Sequence, residues 1–297
     1  ILQSRRMKFA DPKNDMAFKK IFGDEHHKEV LISFLNAILD FQDEQTIVEV
    51  TLVNPYQVPK IEALKETILD IKATNQKGEQ FIVEMQKNDQ GDFAKRSLYY
   101  TAKAYVNQMD GGDNYQQLEK VYFIGILDFK MFENQNCVSR HLILNQETQT
   151  QDLADFEFCF VELPKFKKDL NELENRFERW LYFLKYASSF DLIPAELSTD
   201  PQIEQAFQAL LMFGWSKQEM DVYDYMCLQE GSRLDQLRTA EQKGMKQGMK
   251  QGIEQGIEQV AVQLLDILDD QTLAEKTGLN LTWVQELRKA HNHNESS

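Results

Sequence analysis

The chain has 297 residues, of which 42% are hydrophobic and 27% are charged. This composition is typical of a soluble globular protein with one large domain or two, and no apolar run approaches the roughly 20 residues that a membrane-spanning helix needs. The formal net charge of −15 argues against strong constitutive binding of nucleic acid, because contacts of Lys and Arg with phosphates supply most of that affinity.

The cysteines and the first residues indicate a cellular compartment. Cys137, Cys159 and Cys227 lie far apart and form no CxxC pair. Isolated thiols of this kind are typical of reduced cysteines in the cytoplasm. The first ten residues include basic side chains but no apolar signal core, so the sequence predicts no secretory peptide. We therefore expect a cytoplasmic protein.

Two helices are predicted near the start of the chain. The run Asp11-Pro12-Lys13-Asn14-Asp15 is a helix-start signal with Asn14 or Asp11 as the cap, and Gly23 ends this short helix. A second helix follows from an apolar stripe at helical spacing, which comprises Val30, Leu31, Phe34, Leu35, Ile38 and Leu39.

A strand and a hairpin come next. Thr46–Val53 is rich in β-branched residues and predicts a strand, followed by a loop over Asn54–Lys60. In the stretch Glu66–Asn88, two apolar runs flank the polar segment TNQKGE, which contains a Gly. This pattern predicts a β-hairpin with a loop of about five residues.

The hairpin places two carboxylates opposite each other. With residues 75–79 as the loop, Asp70 lies directly across from Glu84, and Ile68 lies across from Gln86. Alternation also assigns the side chains to two faces. Leu69, Ile71 and Ala73 share one face of the first strand with Phe81, Val83 and Met85 of the second; Ile68, Asp70, Lys72, Ile82, Glu84 and Gln86 share the other.

Two interpretations of this carboxylate pair remain open. Alternation alone would produce polar residues on a solvated sheet face. However, Asp is depleted in strands, and two facing carboxylates repel each other unless a cation or a shared proton compensates. The alternative is therefore that Asp70 and Glu84 bind one divalent cation.

A helix from Gly91-Asp92 to about Met109 is predicted after the hairpin. Arg96, Tyr100 and Lys103 share one face of it, where they either contact phosphate and a base of a nucleic acid or form a solvated face. Three strands follow, at Val121–Phe129, Val138–Asn145 and Asp155–Leu163.

The C-terminal part of the chain is predicted to be helical. Apolar residues at helical spacing predict a helix that spans Leu170, Leu173, Phe177, Trp180, Leu181 and Leu184, and further helices start at Asp200-Pro201 and Ser216. The ending, LAEKTGLNLTWVQELRKA, predicts a helix, a C-cap at Gly278, an N-cap at Thr282 and a last helix, as a helix-turn-helix or a simple helical cap. We expect His291–Ser297 to be disordered.

Glycine recurs every fourth residue between residues 243 and 258. Gly244, Gly248, Gly252 and Gly256 would cost a lone helix about 4 kcal/mol relative to Ala. Met245, Met249, Ile253 and Ile257 recur at the same stride. The segment is either a flexible linker or a helix whose small and apolar residues pack against a second copy of the chain. We favour the second interpretation, a homodimer through residues 243–258.

The hairpin and its flanking segments resemble a known nuclease family. Asp70 followed by Glu84-Met85-Gln86 resembles the PD-(D/E)-x-K signature, in the variant with Gln in place of the final Lys. The segments DPKNDMAFKKIFG, LDIKATNQKGEQFIVEMQ, RSLYYTAKAYVNQ and VYFIGILDF occur in the order seen in the Rpn family of recombination-promoting nucleases and transposase-like proteins. The resemblance covers roughly residues 8 to 290.

The resemblance implies an α/β fold and a reaction. We expect a nuclease-like core with a mixed central sheet flanked by helices over residues 8–164, a helical region over 165–242, and a Gly-periodic helix with a short helical tail over 243–290. The implied activity is metal-dependent DNA endonuclease cleavage of low sequence specificity that promotes recombination, and DNA is the implied partner.

The resemblance also implies roles for individual residues. Asp70 and Glu84 would bind Mg²⁺ or Mn²⁺, and Asp15 on the first helix would join them or only complement the helix dipole. Gln86 would orient water or phosphate, and Lys72 would supply the charge that the missing Lys removes. Lys19, Arg96, Tyr100 and Lys103 are the candidate nucleic-acid contacts. The alternatives are a non-catalytic nuclease-fold module that binds DNA or protein, and a purely structural oligomer.

Overall fold

The structure is a computed structural model that describes residues 8–54, 56–57, 67–110 and 112–294. Two compact units make up the chain, Ile1–Met226 and Cys227–Ser297. Parts of three predictions lie outside the described residues: most of the loop Asn54–Lys60, Glu66 at the start of the hairpin, and the end of the tail His291–Ser297. The proposed division into 8–164, 165–242 and 243–290 stays a prediction.

A six-stranded mixed sheet forms the centre of the first unit. Its strand order is β1-β4-β5-β6-β8-β7, with β5, β6 and β8 parallel to one another and the other neighbours antiparallel. A separate pair, β2 and β3, is also antiparallel. The strands are β1 (Val50–Leu52), β2 (Tyr56–Gln57), β3 (Thr67–Ile68), β4 (Ile71–Asn75), β5 (Gln80–Gln86), β6 (Val121–Leu127), β7 (Val138–Leu142) and β8 (Phe156–Glu162).

Helices flank the sheet and form the C-terminal region, which confirms the predicted α/β class. They are α1 (Asp15–Phe22), α2 (Lys28–Leu39), α3 (Phe93–Val106), α4 (Arg176–Tyr186), α5 (Ala195–Ser198), α6 (Pro201–Leu210), α7 (Lys217–Leu264), α8 (Asp270–Thr277) and α9 (Leu281–Asn294). Asn14 caps α1 by accepting the Met16 N–H, and Gly23 ends it, as predicted.

The two faces of the sheet have separate cores. One core joins α1, α2, α4 and α6 to the sheet and includes Phe22, Phe34, Trp180, Phe183 and Phe207, all buried. The other lies beneath α3 and includes Phe93, Phe123 and Phe160. Burying an aromatic or aliphatic side chain stabilises the fold by about 1.5–3 kcal/mol, so these cores fix α1 and α3 firmly over the sheet.

Several predicted element bounds are wrong, for local reasons. The predicted strand Thr46–Val53 shortens to β1, because the Asn36 side chain donates to the Ile47 carbonyl and accepts the Ile47 N–H in place of a strand neighbour. Tyr56–Gln57, predicted to lie in a loop, pairs with β3. The helix predicted from Leu170 begins only at Arg176, where Asn175 accepts the Glu178 N–H. Asn280, and not Thr282, caps α9.

The second unit has a small core of its own. Ala261, Leu265, Leu273 and Val284 are buried together. Arg288 of α9 donates to the Leu265 and Leu268 carbonyls and pairs with Asp270 at 2.6 Å. Gly278 ends α8 with a φ of 73°, as the sequence predicts. Among the helices that the structure describes, none combines the length and apolarity needed to cross a membrane.

Gly125 allows close packing on β6, beside Glu84 of β5. A Cβ there would lie 2.9 Å from Phe160 Cδ1 and 3.0 Å from Phe93 Cε1. Gly125→Ala should therefore reduce the free energy of unfolding by about 1–3 kcal/mol, since the two rings must shift. Urea unfolding measures this loss. Gly231→Ala in α7 is the control, because a Cβ there meets no atom of the described residues within 4 Å, and it should be neutral or stabilising. Equal stability of the Gly125→Ala variant and the parent chain would contradict the packing argument.

Candidate active site

Asp70 and Glu84 lie side by side where β4 begins. The observed register pairs Ile71 with Val83 and Lys72 with Ile82, so its continuation sets Asp70 opposite Glu84, as predicted. Asp70 itself occupies a bend before β4. Its N–H donates to Glu84 Oε1 at 3.1 Å, and its Oδ2 accepts the Met85 N–H at 2.9 Å. The side-chain oxygens of Glu84 and Asp70 thus accept hydrogen bonds here, in place of the backbone carbonyls that would accept them in a regular strand pair.

The bend at Asp70 also breaks the predicted alternation. Leu69 packs with Ile82 in the core beneath α3, whereas Ile71 and Ala73 pack in the core on the other face. The assignment of Leu69 to the face of Ile71 is therefore wrong. The backbone of Ile68 pairs with Tyr56 and not with Gln86, since the chain turns away from β5 before Asp70.

Burial makes the two carboxyl groups costly to ionise. Burial, followed by the charge of Asp70, raises the pKa of Glu84 to about 8. Burial also raises the pKa of Asp70, an effect that the Met85 N–H and Lys19 oppose. Without a cation, the pair retains a proton near neutral pH. A divalent cation would compensate the same negative charge.

The donor set fits a hard divalent cation such as Mg²⁺. Such ions take oxygen ligands, and Mg²⁺ is commonly bound through one or two carboxylates together with waters and substrate phosphates. Asp70 and Glu84 supply two carboxylates. No group of three or more His, Cys, Asp or Glu residues that could hold a metal is found in the described part of the chain.

The first helix contributes Lys19 and Asp15 to the surroundings of Asp70. Lys19 Nζ lies 3.3 Å from Asp70 Oδ1, so the structure places this predicted DNA contact at the carboxylates. The charge of Asp15 raises the pKa of Asp70. Asp15 is exposed on the first turn of α1, and its role as a metal ligand stays a prediction.

Gln86 and Arg96 form a pair next to Glu84. Arg96 Nη2 donates to Gln86 Oε1 at 2.9 Å, and Gln86 Nε2 donates to the Asn88 carbonyl at 2.9 Å. The charge of Arg96 acts to lower the pKa of Glu84. Both polar ends of Gln86 are thus held by the protein. Sequence reasoning missed this pair, because only the packing of α3 across β5 brings the two side chains together.

The other two candidates on α3 differ in their relation to the site. Burial raises the pKa of Tyr100, and the charge of Glu84 adds to this effect. Lys103 lies over the ring of Tyr99, 6.0 Å from its centroid. A role of either residue in binding nucleic acid stays a prediction.

Lys72 lies in the wall of a cavity beside Asp70. The cavity has a volume of about 350 Å³ and is lined by Lys19, Gly23, Glu25, Leu52, Val53, Asn54, Asp70, Ile71 and Lys72. The Lys72 residue is only 9% exposed, and burial lowers the pKa of its amine. The sequence placed Lys72 on the face of Asp70 but gave no sign of a cavity.

Two ion pairs fix the segment before α1. Lys13 Nζ lies 2.7 Å from Asp128, and Lys87 Nζ lies 3.1 Å from Asp11. Asp128 and Lys87 directly follow β6 and β5, so these pairs attach the start of α1 to the ends of two central strands. They help to position Lys19 and were not visible in the sequence, since each joins residues far apart in the chain.

Comparison with known proteins gives a family match. A family model described as PD-(D/E)XK nuclease family transposase matches residues 12–236, and this range includes both carboxylates, Gln86 and Arg96. No curated protein and no solved structure matches the chain.

Proposed function

Because this chain belongs to the PD-(D/E)XK nuclease family transposases, we propose that it is a metal-dependent DNA endonuclease of low sequence specificity that promotes recombination. The observation that carries the proposal is the buried pair Asp70 and Glu84, whose side chains hydrogen-bond the hairpin backbone across the start of β4. Two adjacent carboxylates with raised pKa values need a compensating cation when both are ionised.

We place the protein in the cytoplasm, where Cys137, Cys159 and Cys227 would remain thiols.

In this proposal Asp70 and Glu84 hold Mg²⁺ or Mn²⁺, and Asp15 contributes from α1. A bound ion of this kind supplies Lewis acidity and lowers the pKa of a coordinated water. Lys19, whose Nζ lies 3.3 Å from Asp70 Oδ1, opposes the rise in the pKa of Asp70 that burial causes. The bend at Asp70 and the Met85 N–H fix the direction in which the Asp70 carboxylate points.

Gln86 acts in this proposal by positioning Arg96. The motif position normally carries a Lys, whose positive charge is missing here. Arg96 approaches the same place from α3 and is held by Gln86 Oε1, so its guanidinium can supply that charge to a phosphate. Gln86 cannot act as a base. Tyr100 and Lys103 continue the same helix face as further DNA contacts.

A second candidate function is a non-catalytic nuclease-fold module that binds DNA or a protein. The net charge of −15 and the Gln at the motif position favour it. The two functions differ in one assay, the nicking of supercoiled plasmid DNA by the purified chain with Mg²⁺, with Mn²⁺ and with EDTA. The endonuclease should nick only with metal. An intact plasmid in every condition would favour the non-catalytic module.

We also propose that the chain forms a homodimer through residues 243–258 of α7. Within the part of the chain that the structure describes, no atom lies within 4 Å of where a Cβ would stand on these glycines, and Met245, Met249 and Ile253 are 76%, 69% and 54% exposed. Apolar side chains recurring along one helix are stabilised when a second helix covers them, and small neighbours let it approach closely. Two active sites in one dimer could cut both strands of a duplex.

Light scattering tests the dimer. We expect the full chain to have twice the monomer mass and a truncation that ends at Arg238 to be monomeric, since two-fold symmetry is the commonest arrangement. The variant Met249→Lys should also be monomeric, because it places a charge in the apolar stripe. A monomeric full chain at about tens of micromolar would contradict the proposal and leave residues 243–258 as an exposed helix.

A further inference from the structure

Lys72 lines the cavity beside Asp70 and carries a charge that the described residues do not pair. Lys72 is 9% exposed, and among the residues that the structure describes no hydrogen-bond or ion-pair partner is found for its ammonium group. Most of its side chain is buried, but its ammonium group reaches solvent. This charge is therefore open to an anion that enters the cavity.

The other charged groups of the cavity are already paired. Glu25 contacts Lys28 at 2.7 Å, and Lys19 contacts Asp70 at 3.3 Å. Lys72 thus supplies the unbalanced charge of the described wall. The remaining wall is formed by Leu52, Val53, Ile71 and Gly23, together with the polar Asn54. An anion bound here would have an apolar neighbour on one side and a lysine on the other.

The cavity is larger than a site for one water molecule. Its volume of about 350 Å³ is far above the roughly 30 Å³ that one water occupies and falls in the range of small-molecule sites, about 300–1,000 Å³. A phosphate with its attached sugar fits such a space. Apolar walls suit the sugar, and a lysine is a common phosphate ligand.

We propose that this cavity binds a phosphate group of the DNA strand next to the phosphate that is cut, with Lys72 as its ligand. The inference rests on the proposed function, because Asp70 lines both the cavity and the carboxylate pair. The group is either an internal phosphodiester or a terminal phosphate monoester. Both present anionic oxygens to the same lysine.

Fluorescence anisotropy with a labelled duplex oligonucleotide tests the inference. The full chain carries Glu84→Gln, which removes one carboxylate, and EDTA is present, so the DNA stays intact. Adding Lys72→Met should weaken binding about tenfold, the loss of one charge-assisted hydrogen bond. It should also reduce the slope of log affinity against log salt concentration by about 1. Duplexes with and without 5′-phosphates distinguish a terminal phosphate from an internal phosphodiester. If Lys72→Met weakens binding of the phosphorylated duplex only, the bound group is a terminal phosphate.

Matched variants keep the test specific. Lys167→Met removes an exposed lysine after β8 and should change neither affinity nor slope. Lys72→Arg keeps the charge and should keep the slope. Lys72→Met should unfold at the same temperature as the parent chain, because the Lys72 ammonium has no hydrogen bond or ion pair to lose among the described residues. The inference would be overturned if Lys72→Met left the affinity and the salt slope unchanged. It would also be overturned if Lys167→Met lost as much affinity as Lys72→Met, or if neither duplex bound. The plasmid assay decides the proposed function separately.

Discussion

Asp70→Asn and Glu84→Gln are each expected to abolish metal-dependent nicking of supercoiled DNA. Each variant removes one of the two carboxylates that the proposed cation requires, while the replacement has nearly the same shape. Because even groups that only orient metal ligands cost about 10–100-fold when removed, the loss of nicking should reach at least about 100-fold. Agarose gels that follow the conversion of supercoiled to relaxed plasmid measure this rate.

The control for this experiment is Glu147→Gln, which changes an exposed carboxylate in the loop after β7. Its nicking rate should equal that of the parent chain. Both active-site variants must also unfold cooperatively, since loss of activity together with loss of folding would indicate a structural role for the pair. Full activity in either active-site variant would remove that residue from the proposed site.

The stability of the metal-free chain should fall as the pH rises, and Glu84 should be a main cause. The pKa of Glu84 is about 8 in the fold, against an ordinary value of 4.5. Between these values the folded chain holds a proton that the unfolded chain has released, so increasing pH favours unfolding. Each unit of pKa shift corresponds to about 1.4 kcal/mol, so Glu84 should lower the free energy of unfolding by on the order of a few kcal/mol across this pH range.

Urea unfolding in EDTA at several values from about pH 5 to about pH 8 measures this dependence. Glu84→Gln should be more stable than the parent chain, and its advantage should grow with pH, because the amide cannot ionise. Glu147→Gln should follow the parent chain at every pH. Parallel pH profiles for Glu84→Gln and the parent chain would show that Glu84 ionises in the fold as readily as in the unfolded chain.

Local patterns were sufficient to predict most helices, strands and the register of the hairpin. The apolar stripe of α2 has a period near 3.6, and α2 forms where this period indicates. The first helix, α1, begins and ends where the caps at Asn14 and Gly23 indicate. A short loop fixes which residues of a hairpin face each other, so the distance of Asp70 and Glu84 from residues 75–79 was enough to place them opposite each other. The family resemblance depended on the same local segments, and the family match agrees with it.

The predictions from the sequence were wrong where a side chain took the place of a neighbouring strand, or where a bend interrupted a strand. The Asn36 amide takes the place of a strand beside Ile47, so β1 is shorter than its composition suggests. The bend at Asp70 moves Leu69 to the opposite face of the sheet. Alternation holds only while the backbone remains extended, and neither interruption has a signature in the residues that precede it.

By itself, the sequence determined the fold class, the hairpin and its facing carboxylates, because each depends on residues close together in the chain. Only the tertiary structure decided what surrounds those carboxylates. Lys19 reaches Asp70 from α1, Arg96 reaches Gln86 from α3, and Lys72 lines a cavity between α1, β1 and β4. These contacts depend on how helices pack across a sheet whose parallel strands come from distant segments. Such packing is set by the summed burial of both cores and not by any local pattern.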